Sequence, residues 1–417
     1  MRKASRVLVL TLIAAVLLSN VAFAKTKIVQ WSFPMLENEM EVLWKPFIEK
    51  FNEIYPDIEV QVEILPWAGR DERMLTAVVS GNPPDVVYLN EFFLQTFASR
   101  GALEPLNAYI SEEVLLSRFP ETLLSTGKVG DNYYLAPMLT GVLGNVYHRE
   151  VLEKAGWDIN NLPETWDEFL EFAAHIKKWA DENGEQVWPI AYSASMETTL
   201  NMSWFPILWQ AGGDIVTEDG KKAAFNSPEG IAAMQFVKTL ADNGYIPESL
   251  ITSGRGDDYF LDGRVAMIFG VDAAGIAGMR ERDPEFDSYA VVGPILKGKE
   301  RVTYTTLGAW AIFKNANNAE AAAKWIEFLT SPEINVEYNK KTGYMSPIIG
   351  APKLFADDPL LGVLEEQVIY GRGGMTISQE RRVMDVLKRA QQAIILGEAS
   401  IEDALRSAEQ EVNFILR

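Results

Sequence analysis

The chain has 417 residues, 48% of them hydrophobic, so it is long enough for two or three domains with separate cores. Its formal net charge of −20 makes nucleic acid and anionic lipid poor partners, because both carry negative charge. It contains no cysteine and only two histidines, which excludes disulfides and thiolate sites, and we expect neither a metal nor a cofactor.

The first 24 residues have the features of an export signal. Three basic residues within the first six positions precede the apolar run 7–18, and 22–24 has the small-residue pattern of a cleavage site. The run is short for a membrane anchor, so we expect a signal peptide at 1–24 that is removed after export. Lys25 stands where a lipoprotein would carry its lipidated cysteine. The sequence therefore predicts a freely diffusing periplasmic protein.

The next part of the chain alternates between strand and helix patterns. The expected elements are, in order, a strand at 27–33, a helix at 40–51, a strand at 58–64, a helix at 71–80 and a strand at 85–89. Gly81 and the two prolines that follow Asn82 end the second helix, so that a short apolar strand can begin at Asp85. This order predicts a doubly wound, mainly parallel α/β sheet.

Later helices are marked by their starting residues. The expected starts are the capping box from Thr165 to Glu168 before a helix at 166–182, Ser227 before a helix ending at 243–244, Asn317 or Asn318 before a helix reaching Leu329, and Ser378 and Ser400 before the last two. No internal repeat or heptad array occurs, which argues against a solenoid or a filament.

The sequence lacks the short motifs that are typical of common enzyme classes. It has no Gly-x-Ser-x-Gly nucleophile elbow, no Gly-x-x-x-x-Gly-Lys phosphate loop and no His-Glu-x-x-His zinc motif. Among 58 acidic residues a catalytic carboxylate pair can always be imagined, but nothing in the sequence singles one out. A secreted glycosidase or lyase stays an alternative without a supporting motif.

Aromatic residues are numerous, with 11 tryptophans and 14 tyrosines. Several stand where no helix or strand pattern requires them, namely Trp31, Trp67, Trp204, Trp209 and Trp310. Packing in the core is the ordinary interpretation of any single one. Together, near strand ends, they suggest flat apolar platforms beside polar groups, which suit the ring face and hydroxyl rim of a sugar.

The order of several segments resembles a known family. The matching segments are SGNPPDVVYLN (80–90), GALEPL (101–106), GDNYYLAPMLTGVLGNVYHREVLEKAG (130–156), LPETWDEFLEFAAHIKK (162–178), FLDGRVAMIFG (260–270), TTLGAWAIFKNANNAEAAAKWIEFLTSPE (305–333), GYMSP (343–347) and LGEASIEDALRSAEQEVNFIL (396–416). In this order the chain resembles the extracellular solute-binding proteins of family 1, the sugar-binding receptors of ABC importers related to maltose-binding protein.

The resemblance implies a two-lobed periplasmic-binding-protein fold of type II, an α/β fold with a mainly parallel sheet flanked by helices in each lobe. The N-terminal lobe would comprise 25–136 plus 295–331, and the C-terminal lobe 137–294 plus 332–417. Three crossing segments, near 136–137, 293–294 and 330–331, would form the hinge. Proline, glycine or small polar residues interrupt regular structure at each of them.

The resemblance also implies where a ligand would bind, in the cleft between the lobes. The residues expected to face it are Trp31, Asn90, Glu91, Trp204, Trp209, Asp272, Trp310, Tyr344 and Arg372, with Trp67 and Arg70 beside them. Asn90 and Glu91 follow a strand at its carboxyl end, where open α/β sheets place ligands. The alternative for Arg372 is a position on the protein surface. The alternative for Trp67 and Arg70 is that they fix the start of the helix that follows them. No residue is expected to be catalytic or to bind a metal.

Function follows from the same resemblance. We expect a monomeric receptor that binds a mono- or oligosaccharide and delivers it to the membrane permease of an ABC importer, without catalysis. Leu89 and Asn90 do not reproduce the aromatic and acidic pair of maltose-binding proteins, so the sugar stays unnamed. The alternative ligands are glycerol phosphate, a polyamine or ferric ion. The pair Tyr133–Tyr134 is the one hint, and it concerns ferric ion. Changing Trp310 to alanine is expected to weaken ligand binding far more than it lowers the melting temperature.

Overall fold

The structure is a computed structural model that describes residues 25–417 apart from 37, 68, 91–96, 99, 197–198, 253–255, 376 and 378. The predicted signal peptide at 1–24 lies outside the described residues, and so do Glu91 and Ser378. Within the described part, no helix combines the length and the apolar character that crossing a bilayer requires.

The strands form two main sheets and a short hairpin. They are β1 Thr26–Ser32, β2 Ile58–Ile64, β3 Val86–Asn90, β4 Lys128–Val129, β5 Asn132–Tyr133, β6 Ala136–Val142, β7 Gly144–His148, β8 Trp188–Ala191, β9 Val265–Val271, β10 Ala290–Gly293, β11 Thr303–Ile312 and β12 Gly371–Arg372.

The helices flank these sheets. They are α1 Lys45–Ile54, α2 Arg70–Val79, α3 Glu112–Arg118, α4 Glu121–Leu124, α5 Arg149–Ala155, α6 Trp166–Asn183, α7 Trp204–Gln210, α8 Pro228–Asp242, α9 Glu248–Thr252, α10 Gly256–Leu261, α11 Ala273–Arg282, α12 Phe286–Tyr289, α13 Ala319–Leu329, α14 Pro332–Thr342, α15 Leu361–Gln367, α16 Glu380–Ile395 and α17 Ile401–Ile415. Single turns of π- or 3-10-helix lie at Met40–Trp44, Leu106–Ala108, Ser125–Gly127, Leu200–Met202 and Val368–Tyr370.

Each sheet is the centre of one lobe, the larger sheet of the first lobe and the smaller sheet of the second lobe. The larger sheet has the order β12-β11-β3-β1-β2, with β6 also paired to β11, and the smaller has the order β10-β7-β9-β8. The two-lobed α/β architecture predicted from the sequence is therefore confirmed. Strand directions are more mixed than predicted, because β7 runs antiparallel to both of its neighbours and β11 runs antiparallel to β3 and β6.

Local start signals form the helices as expected. The hydroxyl of Thr165 accepts a hydrogen bond from the Glu168 amide at 3.3 Å, and the Glu168 carboxylate accepts one from the Thr165 amide at 3.1 Å. This capping box begins α6, and Gly184, with a φ of 68°, ends it. The box satisfies two amide groups that the first helical turn would otherwise leave unpaired.

Asp85 fixes the short strand β3 to its surroundings. Its side chain is 3% exposed, and its two carboxylate oxygens accept hydrogen bonds from the amides of Val29, at 2.8 Å, and Asn318, at 3.2 Å. One acid therefore joins the start of β3 to β1 and to the N-cap of α13. The strand that follows is buried up to Leu89 and presents Asn90 at its carboxyl end.

The chain passes between the lobes near the predicted crossings, at different residues. Residues 136–142 form β6 in the larger sheet, and the change of sheet falls at Leu143, between β6 and β7. The return passage lies between β10 and β11. Helix α14 packs against β6, since Asn335 and Asn339 both donate to the carbonyl of Met138, at 2.8 and 2.9 Å. The exact lobe boundaries stay a prediction.

His148 is buried at the end of β7. Its ring is 4% exposed, stacks on Tyr289 with centroids 4.4 Å apart, and lies 5.1 Å from Phe260. Burial lowers the pKa of His148 to about 4, and the charge of the nearby Glu150 offsets only part of this lowering. The imidazole is therefore neutral in the folded protein at neutral pH.

We expect His148 to make the folded state less stable in acid. Its pKa of about 4 is below the ordinary value of 6.5, so the unfolded chain binds the proton first as the pH falls. The resulting loss of stability develops between pH 6.5 and 4 and reaches about 3 kcal/mol. Urea unfolding at pH 7, 5 and 4 should show this loss in the wild type and in His175→Gln, and a shallower dependence in His148→Gln. Parallel curves for all three proteins would contradict it.

Candidate functional site

The two lobes enclose a cavity of about 200 Å³, here called the inner cavity. Its lining includes Arg70, Asn90, Asn201, Asp272, Thr306 and Arg381. Arg70 begins α2, and Asn90 ends β3, so both come from the first lobe. Asp272 follows β9 of the second lobe. Three residues that the sequence analysis proposed, Arg70, Asn90 and Asp272, are thus brought together at one place.

Two further cavities adjoin the inner one. The outer cavity, about 390 Å³, is lined by Trp67, Gly69, Arg70, Glu72 and Arg381, and it shares both arginines with the inner cavity. The side cavity, about 280 Å³, lies in the second lobe and shares Met202 and Asp272 with the inner cavity. Small-molecule sites usually occupy about 300–1,000 Å³, so the inner cavity together with its neighbours fits this range better than the inner cavity alone.

Two residues that line the inner cavity carry buried polar atoms without a hydrogen-bond partner among the described residues. The side-chain oxygens of Asn90 and Asn201 have no hydrogen-bond partner among the described residues, and Asn201 is only 5% exposed. Buried polar atoms are normally paired, and an orphaned one calls for an explanation. Two amide oxygens that can still accept hydrogen bonds suit a ligand with several hydroxyl groups.

Asp272 joins the cavity to the start of a helix. It is the N-cap of α11, and its carboxylate accepts a hydrogen bond from the Gly275 amide at 2.9 Å. Burial raises the pKa of the Asp272 carboxyl, although this hydrogen bond acts in the opposite direction. Burial, followed by the charge of Asp272, raises the pKa of Tyr344. Tyr344 does not line the three cavities described above.

Three proposed tryptophan platforms are in the protein core. Trp204 and Trp310 are fully buried and Trp209 is 1% exposed, and none of them lines the inner, outer or side cavity. Trp310 packs edge-on against Trp44 and Tyr88, with ring centroids 5.8 and 5.6 Å away. In this structure the three tryptophans pack in the core. Their role as ligand platforms stays a prediction, because none of the three cavities is lined by them.

The other proposed aromatic and basic residues are also held by neighbours. The half-buried Trp31 donates its indole N–H to Glu63 at 2.9 Å, on the neighbouring strand. Arg372 lies 4.9 Å above the ring of Trp209 and bonds to Asp214 at 2.6 Å. Neither Trp31 nor Arg372 lines the three cavities. Glu91 lies outside the described residues.

Sequence reasoning did not find several lining residues. Arg381 comes from α16, which is joined to the smaller sheet's lobe by the 2.7 Å bond between Gln391 and Tyr192. Asn201 lies in a 3-10 turn, and Thr306 lies within β11. Arg381 sits in the run Glu-Arg-Arg, which reads as a solvated helix face, and nothing local distinguishes Asn201. Among the described residues, no group of three or more acidic, histidine or cysteine side chains could hold a metal ion.

Comparisons with known proteins agree over most of the chain. The model of the family described as bacterial extracellular solute-binding protein matches residues 36–336. A maltotriose-binding protein of Pyrococcus abyssi is 25% identical over 358 residues, covering 83% of this chain and 71% of that protein.

Solved structures give the same result. A solute-binding protein of an ABC transporter from Thermotoga lettingae, bound with α-D-tagatose, is 25% identical with a TM-score of 0.80, covering 94% of this chain and 100% of that one. Maltose-bound MalE3 of T. maritima is 26% identical with a TM-score of 0.77 and the same coverage. The chain is thus similar to these proteins over nearly all of its length.

Proposed function

Because the chain belongs to the family of bacterial extracellular solute-binding proteins, we propose that it is the receptor of an ABC importer and binds a carbohydrate between its lobes. The observation that carries this proposal is the inner cavity, which is lined from both lobes and whose lining includes Asn90 and Asn201, each with a side-chain oxygen that has no hydrogen-bond partner among the described residues. The tagatose, maltose and maltotriose of the similar proteins support a sugar as the ligand.

Binding would act by closing the cleft. A ligand in the inner cavity contacts α2 and β3 of the first lobe and the start of α11 in the second, so it stabilises the arrangement in which these elements are close. Such a ligand shifts the population from an open towards a closed form by its difference in affinity for the two. The hinge would be formed by the passages at Leu143, between β10 and β11, and after α14.

The remaining parts of the proposal concern location and partners. The protein would be exported through the signal peptide at 1–24, would remain in the periplasm without a lipid anchor, and would act as a monomer. Its closed form would dock on the permease subunits of the importer. It would catalyse no reaction, because the receptor needs only the conformational change that ligand binding stabilises.

A thermal-shift screen with product analysis tests this function. The purified protein is heated with a panel of mono- and oligosaccharides, together with glycerol 3-phosphate, spermidine and ferric citrate. We expect one or more sugars to raise the melting temperature and to be recovered intact. A ligand present at 100 times its Kd stabilises by about 2.7 kcal/mol, which such a screen detects. Sugar cleavage would support an enzyme instead, and stabilisation by a non-sugar alone would contradict a carbohydrate receptor.

Asn201 offers a test of the cavity itself. Since its amide oxygen has no partner among the described residues, Asn201→Ala should remove little folded-state stability but should remove an acceptor for the ligand. We expect the affinity for the stabilising sugar to fall about tenfold, with the melting temperature of the free protein changed by less than about 2 °C. Calorimetric titration and scanning calorimetry measure the two effects. Asn160→Ala, at an exposed position, is the control, and equal affinities in both variants would remove Asn201 from the site.

A further inference from the structure

We infer that the ligand is an acidic carbohydrate, with a carboxylate or phosphate group that Arg70 and Arg381 bind in the outer cavity while its hydroxyl groups occupy the inner cavity. This inference rests on the proposed carbohydrate receptor function and deepens it. It concerns two guanidinium groups, those of Arg70 and Arg381, which line both the inner and the outer cavity.

The two arginines come from different lobes. Arg70 is the first residue of α2, and Arg381 is the second residue of α16. Both line the inner and the outer cavity, so one ligand group at the junction can reach both. A guanidinium presents a planar set of donors that matches a carboxylate or a phosphate in a two-bond arrangement.

Backbone groups add to the attraction for an anion. The N-cap of α2 is Gly69, which has no side chain to accept a bond from the first-turn amides, and Gly69 itself lines the outer cavity. The start of a helix carries partial positive charge and exposed N–H donors. This helix start lies at the outer cavity, and its first residue, Arg70, also lines the inner cavity, where Asn201 has a buried oxygen without a partner among the described residues.

The ring of Trp67, which lines the outer cavity, already contacts two other side chains. Its ring stacks on Phe33, with centroids 4.9 Å apart, and the guanidinium carbon of Arg70 lies 5.0 Å from its centroid. The indole therefore orients Arg70, and the outer cavity presents a cation where a neutral sugar would call for a bare aromatic surface. This arrangement favours a charged group over a second sugar ring at that position.

Charge also links this ligand group to closure. An anion bound at the junction of the two cavities would attract the guanidinium groups of both lobes and so favour their approach. Glu72, Asp272 and Glu380 lie in the same linings and offset part of the positive charge in the absence of ligand. An acidic ligand would thus stabilise the closed form more than its neutral counterpart does.

Calorimetric titration with matched pairs tests the inference. The probes are D-glucose with D-glucuronate, D-galactose with D-galacturonate, and glucose 6-phosphate as the phosphate counterpart. We expect an acidic member to bind at least about tenfold more tightly than its neutral parent, and this ratio to shrink as the salt concentration rises. Preference for uronate or for phosphate identifies which anion the site takes.

Variants then assign the effect to the two arginines. Arg70→Gln and Arg381→Gln should each weaken binding of the acidic sugar by about tenfold and that of the neutral sugar by less than about threefold. Arg389→Gln is the control, because Arg389 is exposed and pairs with Glu411 at 2.8 Å on the outer face of the second lobe. Melting temperatures of the free variants exclude loss of folding as the cause.

The possible results are distinguishable. If neutral and acidic members bind equally and the two variants weaken both alike, the acidic-ligand inference is wrong while the carbohydrate receptor stands. If no sugar binds, the proposed function fails and the inference fails with it. A loss in Arg389→Gln equal to that in the cleft variants would attribute the preference to overall charge and would also overturn the inference.

Discussion

Replacing Trp310 with alanine is expected to lower the free energy of unfolding by about 3–5 kcal/mol, as for other large aromatic residues in protein cores. Trp310 is fully buried in β11, an interior strand of the larger sheet, and its ring packs against Trp44 and Tyr88. The vacated space has no exposed edge through which neighbouring side chains could relax cheaply. Urea unfolding followed by far-ultraviolet circular dichroism measures the loss.

The matched control is Trp67→Ala. Trp67 is 40% exposed at the outer cavity, so its removal should cost less than half as much stability. This expectation reverses the one from sequence, in which Trp310→Ala acts mainly on ligand binding. An unchanged melting temperature together with lost binding would contradict the core position of Trp310 and restore it as a ligand platform.

Replacing Asp85 with alanine is expected to destabilise the protein by about 2–4 kcal/mol. The carboxylate accepts hydrogen bonds from two backbone amides, those of Val29 and Asn318, and is itself buried. Alanine leaves both part-buried N–H groups without an acceptor, and each such group costs about 1–3 kcal/mol. Three elements, β1, β3 and α13, should lose their mutual anchor.

Chemical unfolding of Asp85→Ala beside Asp57→Ala tests this role. Asp57 is exposed in the turn before β2, so its replacement should change stability by less than about 0.5 kcal/mol. Equal stabilities of the two variants would show that Asp85 does not hold the strand and the helix together. The ligand affinity of Asp85→Ala should follow its folded fraction, because Asp85 lies away from the three cavities.

Elements with local signals were predictable from the sequence. The predicted N-caps Thr165, Ser227 and Ser400 each accept a hydrogen bond from the amide three residues later, because a short hydroxyl side chain can satisfy a first-turn donor. Asn318 takes the N-cap position of α13 without such a side-chain bond, and its amide donates to Asp85 instead. At this helix start a hydrogen bond to a residue distant in sequence replaces the local capping bond, and a local sequence pattern does not reveal such a partner.

The site was predictable only in part, for a physical reason. Asn90 ends β3 and Asp272 follows β9, and open α/β sheets place ligands at the carboxyl ends of their strands, so a position in the cleft could be predicted for both from topology. Whether a tryptophan is exposed depends on what packs on it from distant parts of the chain. Trp310 is covered by Trp44, more than 260 positions away, and no count of aromatic residues contains that information.

The measurement that tests the central claim most directly is the distance between the lobes with and without sugar. The chain has no cysteine, so Thr76→Cys on α2 and Asp385→Cys on α16 can be spin-labelled without background. Asp385→Cys with Glu402→Cys, both in the second lobe, is the control pair.

Double electron–electron resonance should show the distance between positions 76 and 385 shortening when the stabilising sugar saturates the protein, with the control pair unchanged. That result is expected if the sugar binds between the lobes and closes them. A sugar that binds in calorimetry while the distance between positions 76 and 385 stays the same would contradict a cleft-closing receptor.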